Sequence, residues 1–429
     1  MKKRKRIKKK PIIFLLIAII LINHCFTSKI KKKENVTSNY KAIITEREES
    51  NPSVVNEYFA NGMNSDDYIS TIEKIDNYLD IKGNYKNINY EIETKYHYDK
   101  LEEIYKQLGL SEIVKIEIIG KSVDSRNIYA IEIGNGDDVT IFEAGIHAAE
   151  IASPLFITKF MVDIVNRYEK GDKEIANLLA NNKIVIVPSV NPDGYETALF
   201  GTDILNNQDL YIAKSADSES LKYIKSNANG IDLNRNFPSQ TAGLYYKKYD
   251  LHYSVSLKKS TDMYRYFSGE TLGSEPETRA IIYLQNKWKE KLKSYVALHS
   301  AGRVIYNGKP YLSNEYNNNS NNCAQIIGNI TDYMVMNKYD EEAGEGNDGT
   351  STEYMAETLS GFIFSSKTGR LSSSSYMNYE KELKYKNTCV IVIEALENYT
   401  SNLKTIEDEY YNHKLGEAYL AIINRQKFN

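Results

Sequence analysis

Two short turns carry residue types that bind transition metals. The first is Gly145-Ile146-His147-Ala148-Ala149-Glu150-Ile151-Ala152-Ser153-Pro154, and the second is His299-Ser300-Ala301-Gly302. A neutral imidazole and a carboxylate are both accepted ligands of zinc. His147 and Glu150 stand three residues apart, between the β-rich run Val139-Thr140-Ile141-Phe142-Glu143 and a helical pattern. That pattern is the recurrence of Leu155, Ile157, Phe160, Met161, Ile164 and Val165 with helical period. Ser153 is the expected N-cap and Pro154 the expected first helical residue. In a strand-to-helix turn, two side chains can converge on a point beyond the sheet edge. Two solvated turn residues would look the same, so the pair needs the rest of the chain to decide it. Of the six histidines, only His147 and His299 follow strands into small-residue turns. His24 lies in the N-terminal segment, His97 and His413 lie on polar stretches that read as surface, and His252 stands among tyrosines.

The elements that would position these groups alternate between strand and helix. Strand patterns cover Val114–Gly120, Ile128–Gly134, Lys183–Val190, Tyr295–Leu298 and Thr388–Ile393, the last ending on Glu394. Lys183–Val190 is apolar on both faces, as a buried parallel strand is, and delivers Asn191-Pro192-Asp193-Gly194-Tyr195 at its C-terminal end. A helix capped by Asp99 is expected through Leu108, another from Ser274-Glu275-Pro276, and a closing amphipathic helix from Tyr410 to Ile423. Residues 200–230 read as a long polar loop. The alternation predicts one α/β domain with a central mixed, mostly parallel twisted sheet flanked by helices.

Composition narrows the class. The chain has 429 residues, 41% hydrophobic and 26% charged, which suits a soluble globular body. The first ten residues carry eight Lys or Arg and no acid, and the apolar run Pro11–Ile22 follows them. Shorter than a comfortable span, that run fits the core of a secretory signal, so residues 1–33 are expected to be a signal peptide or an N-terminal membrane anchor. The body is therefore expected on the outer side of a membrane, touching it only through this segment. Residues 34–85 read as a polar linker or short prosegment, with a weak helical pattern from Tyr68 to Leu79, and 86–429 as the catalytic domain. Without its first ten residues, which carry eight of the positive charges, the chain has a formal charge of −11 rather than −3, which argues against a nucleic-acid partner. A monomer is expected. Cys323 and Cys389 could pair in an oxidising compartment but make no disulfide scaffold.

Five segments in order, GIHAAE, NPDGYE, GIDLNRNFP, LHSAG and VIVIEALE, together with IGKSVDSRNIYAIEIG ahead of them, resemble the zinc carboxypeptidase (funnelin) family over residues 90 to 400. The resemblance implies one zinc per chain held by His147, Glu150 and His299. Two imidazoles and one carboxylate leave a position for water, as in catalytic rather than structural sites. It implies Glu394 as the residue that moves the proton, with Glu397 as the fallback, and Asn234 and Arg235 as the holders of the substrate's free carboxylate. Asp232 and Asn236 read as turn-formers.

Two family features are not matched. No Arg occurs from Glu196 to Asn234, where many relatives carry the oxyanion-stabilising residue, so Lys225 or Arg303 is the expected substitute. The tyrosine that caps the substrate carboxylate should precede the turn Glu345–Ser351, and Tyr339 and Tyr354 are the nearest candidates. The segments resemble in particular the bacterial branch that includes γ-D-glutamyl-diaminoacid peptidases, which implies peptidoglycan stem peptides as substrate. A general carboxypeptidase trimming ordinary peptides is the alternative, and a non-catalytic wall-peptide binder is the third reading.

Overall fold

The computed structural model describes residues 77–239, 244–247, 250–253, 264–269, 272–307, 314–337, 349–360 and 387–424. The chain divides into two units, residues 1–61 and 62–429, and every described residue belongs to the second. The basic leader, Tyr339 and the start of the turn at Glu345 lie outside the described residues, as does most of the 34–85 segment. The last part of that segment is extended: Leu79 N donates to Ile116 O at 2.8 Å and Ile118 N to Asn77 O at 3.0 Å, adding to the sheet edge.

Eight strands form the main sheet in the order β1-β2-β4-β3-β7-β10-β8-β9. They are β1 (Val114–Lys121), β2 (Asn127–Ile133), β3 (Asp138–Ala144), β4 (Asn182–Val187), β7 (Leu292–Ser300), β8 (Val304–Asn307), β9 (Met334–Asn337) and β10 (Cys389–Ala395). A separate hairpin joins β5 (Leu244–Lys247) to β6 (Asp250–Tyr253). The central strands β4, β3, β7 and β10 run parallel, and antiparallel pairings flank them. Apolar runs cause this arrangement, because a strand covered on both faces cannot alternate with polar residues. Successive side chains feed opposite cores. Phe142, Ile184, Ile186, Val296, Leu298 and Ile391 enter one cluster, while Ile141, Val185, Val187 and Tyr295 enter the other.

Helices α1 (Tyr98–Leu108), α2 (Ala152–Glu169), α8 (Leu403–Asn412) and α9 (Leu415–Ile423) pack on the first face. So does the buried side of α6 (Asn314–Thr331), through Cys323 and Ile327. Helices α5 (Pro276–Trp288) and α7 (Ser351–Ser360) cover the second face. Helices α3 (Lys173–Asn181) and α4 (Pro192–Phe200) bracket β4. Several boundaries differ from expectation. His97 rather than Asp99 occupies the N-cap of α1, and Ile151 rather than Ser153 that of α2. The closing helix is two helices, because Lys414 takes φ 51° between them. The 200–230 loop contains short helical turns at Thr202–Ile204, Tyr211–Ser215 and Ser220–Lys222. Cys323 and Cys389 are buried thiols, not a disulfide. Among the described residues, no helix is long and apolar enough to cross a membrane.

Candidate active site

The parallel strands β3, β7 and β10 all end at one edge, and each delivers a polar group there. After β3 the chain turns at Gly145, whose φ is +64°. A Cβ at that position would come within 2.7 Å of Pro154 Cγ, so only glycine turns here without displacing the start of α2. Ser153 serves this turn rather than capping the helix: its hydroxyl accepts from Gly145 N at 3.1 Å and donates to Glu150 O at 3.2 Å. His147 and Glu150 are thereby held beside β7, whose penultimate residue is His299.

The three side chains meet. His147 Nδ1 lies 2.7 Å from Glu150 Oε1, and His299 Nδ1 lies 2.9 Å from Glu150 Oε2 and 3.2 Å from His147 Nδ1. All three residues are buried, and their donor atoms fall within 4.8 Å of one another. Two imidazole nitrogens and a carboxylate turned toward one point form a donor set able to bind zinc. The backbone N of Ser300 also donates to Glu150 Oε2 at 3.2 Å, fixing the carboxylate's orientation. Burial works against ionising Glu150, but His147, Lys225 and His299 outweigh it and hold the carboxyl well below its usual range.

Asp232 does more than form its turn. It caps the Leu233–Arg235 turn by accepting from Asn234 N at 3.1 Å, and its Oδ1 also lies 3.3 Å from His147 Nε2. The contact lies at ion-pair distance without hydrogen-bond geometry, and a carboxylate beside the far nitrogen favours the tautomer with its proton there, which leaves Nδ1 as donor to a metal. Asn236 is structural, donating to Ser268 O and Ser274 Oγ and accepting from Glu275 N. Asn234 accepts from Ser351 N at 3.1 Å, and its Nδ2 stands 3.5 Å from His299 Nε2. Arg235 is buried beside it, with its guanidinium 5.4 Å from the ring centroid of Tyr266. Tyr354 packs against Phe237 in the core, so the ring found against Arg235 is Tyr266.

Glu394 is the register partner of His299. Its Oε2 is buried with no hydrogen-bond partner. Burial pushes its pKa up; His299 opposes this and the Glu150 charge adds to it. Glu397, by contrast, is mostly exposed.

The two candidate cations separate clearly. Lys225 Nζ lies 3.0 Å from Glu150 Oε1 and 3.4 Å from His147 Nδ1. Burial opposes its charge, but Glu150 raises its pKa far above the usual lysine range. Arg303 instead forks onto Glu409, with Nη2 to Oε2 at 2.7 Å, so that charge is spent away from the cluster. His97 is not simply a surface residue, since it contacts Glu196 and stacks on Phe200 at 3.7 Å.

Three comparisons relate the chain to known proteins. The family model described as zinc carboxypeptidase (Peptidase_M14) matches residues 59–390, and the chain belongs to that family. Among curated proteins, carboxypeptidase O of Bos taurus is 29% identical over 230 residues, covering 52% of this chain and 55% of that protein. Gamma-D-glutamyl-L-diamino acid endopeptidase 1 of Lysinibacillus sphaericus is 30% identical over 197 residues, covering 44% of this chain and 46% of its own length. The chain thus spans about half the length of these curated relatives. Among solved structures, carboxypeptidase A of Helicoverpa armigera superposes with a TM-score of 0.53 at 16% identity, covering 85% of this chain and 80% of that one, a likeness of fold.

Proposed function

We propose that this chain is an exported zinc metallopeptidase that hydrolyses the peptide bond next to a residue with a free carboxylate, with peptidoglycan stem peptides as its substrate class. The observation that carries the reading is the buried, hydrogen-bond-free Oε2 of Glu394 opposite His299, beside the His147–Glu150–His299 cluster. A bare carboxylate oxygen there is suited to accept a proton from water and return it to the leaving amine. Zinc, when bound by the three ligands, supplies Lewis-acid polarisation and eases water's deprotonation. Lys225 presents its ammonium to the negative charge that develops on the carbonyl oxygen. Asn234 and Arg235 grip the terminal carboxylate through amide and guanidinium hydrogen bonds.

The similarity to the L. sphaericus endopeptidase favours stem peptides. The similarity to carboxypeptidase O favours the second reading, trimming of ordinary peptides. Export rests on the basic and apolar residues of 1–33. A non-catalytic binder would have little use for the buried cation that Lys225 keeps beside the cluster. Mass spectrometry of stem-peptide digests by the zinc-loaded protein, run beside a hippuryl-type peptide, decides between the substrates. Release of a diamino acid or diaminoacid-containing fragment supports the wall reading, and cleavage of the hippuryl peptide alone refutes it.

A further inference from the structure

Arg265 is the unusual cation of this site. Arg126, Arg167 and Arg303 each meet a carboxylate, and Arg279 donates to the backbone carbonyls of Gly273 and Ser274. Arg265 meets none among the described residues, and its Nε is buried without a hydrogen-bond partner. Its guanidinium carbon lies 5.5 Å from the centroid of Tyr266, the same ring that Arg235 faces at 5.4 Å. Beyond its first ten residues the chain carries a formal charge of −11, and within it Arg265, with no carboxylate beside it among the described residues, calls for an anionic partner.

The segment that carries Arg265 is knitted into the site on both sides. Tyr264 O accepts from Lys225 N at 2.7 Å and from Ser226 N at 3.2 Å. Tyr266 N donates to Asp232 Oδ2 at 3.0 Å, and Asp232 N donates to Phe267 O at 2.8 Å. Arg265 is therefore fixed relative to the same turn that presents Asn234 and Arg235. An aromatic face holds a guanidinium by cation–π attraction and leaves its N–H edge free for a carboxylate. Tyr266 itself is 41% exposed and Arg265 is half-buried, so the Arg265 side of the ring can be reached from solvent, while Arg235 is buried.

We infer that Arg235 and Arg265, both set against Tyr266, form a two-guanidinium subsite that selects a terminal residue whose side chain bears a second carboxylate. This rests on the reading that Arg235 holds the terminal carboxylate. Arg265 then takes the other one, as a carboxylate-bearing diamino acid or a glutamate would offer. Lysine, with one carboxylate, leaves Arg265 unused.

The test uses three stem-type peptides that differ only in ending on diaminopimelate, glutamate or lysine. Binding is read by calorimetry on the zinc-loaded Glu394→Gln protein, with and without Arg265→Ala or Arg265→Lys, and cleavage is read on the parent enzyme. A diaminopimelate-to-lysine affinity ratio of about 10 to 100 is expected, the worth of one charge-assisted contact, collapsing toward one in Arg265→Ala. Arg265→Lys should recover part of the ratio. The glutamate arm shows whether any acidic side chain suffices or the longer one is needed. Absence of the ratio in the Arg265 parent, its survival in Arg265→Ala, or an equal loss for all three peptides overturns the inference. Selective binding without cleavage by the parent would leave this subsite standing and remove the peptidase reading instead.

Discussion

Lys225 and Glu150 form a buried ion pair, Nζ to Oε1 at 3.0 Å, inside the cluster that also contains His147 and His299. The pair places a fixed positive charge beside the site without the arginine that many relatives use. Replacing one such donor costs on the order of 10² to 10³ in turnover. Lys225→Ala should lower kcat/KM by about that factor, while Arg303→Ala should leave it within about twofold and lower Tm instead, because Arg303 serves Glu409. Steady-state kinetics and thermal melts of the two variants check this. A Lys225→Ala enzyme within twofold of wild type would remove lysine from the oxyanion role.

Asp232 touches the far nitrogen of His147 at 3.3 Å. Asp232→Asn removes the negative charge that keeps Nδ1 available, so zinc affinity should fall by about 10- to 100-fold. Competition against a chelator of known affinity measures it. Unchanged affinity would mean that Asp232 only forms its turn.

A second buried carboxylate reports through stability. Glu277 on α5 is fully buried; burial, with the charge of Asp193, pushes its pKa up to about 8. An acid whose folded pKa is raised stabilises the fold fully below its unfolded value near 4.5. That contribution is lost as pH rises through about 8. Glu277→Gln keeps a neutral side chain at every pH, so the wild type should lose stability relative to this variant between about pH 4.5 and 8. Urea midpoints across that window test it, and parallel curves would contradict the buried-acid account.

The sheet was legible because its central strands are short apolar runs bounded by turns. Val139–Glu143, Lys183–Val190 and Thr388–Ile393 fall within a few residues of β3, β4 and β10. The edge was not legible: β8 and β9 have four residues each, too few for a period to emerge. Helix α6 begins Asn-Glu-Tyr-Asn-Asn-Asn, a run dominated by Asn, which has poor helix propensity, and is held by packing of Cys323, Ala324 and Ile327. The break at Lys414 hides because apolar periodicity continues across it from Tyr410 to Ile423. Within the site, the residues expected to hold metal all come together, since each follows a strand into a turn of small residues. In the sequence Asp232 is legible only as a turn-former, because its turn is local and its contact with His147 exists only after folding. The D-x-N-R spacing, which sets an acid two residues before Asn234, was the one available sign. Tyr266 and Arg265 carried no sign at all, as their placement depends on backbone bonds to Lys225 and Asp232.

The central proposal is a division of labour between two glutamates, Glu150 to hold the metal and Glu394 to move the proton. Glu394→Gln therefore measures it most directly. The variant should bind zinc as fully as wild type, read by elemental analysis, while kcat on a stem peptide falls by about 10² to 10⁴. A variant that keeps its zinc and cuts at the wild-type rate would contradict the assignment of the proton transfer to Glu394.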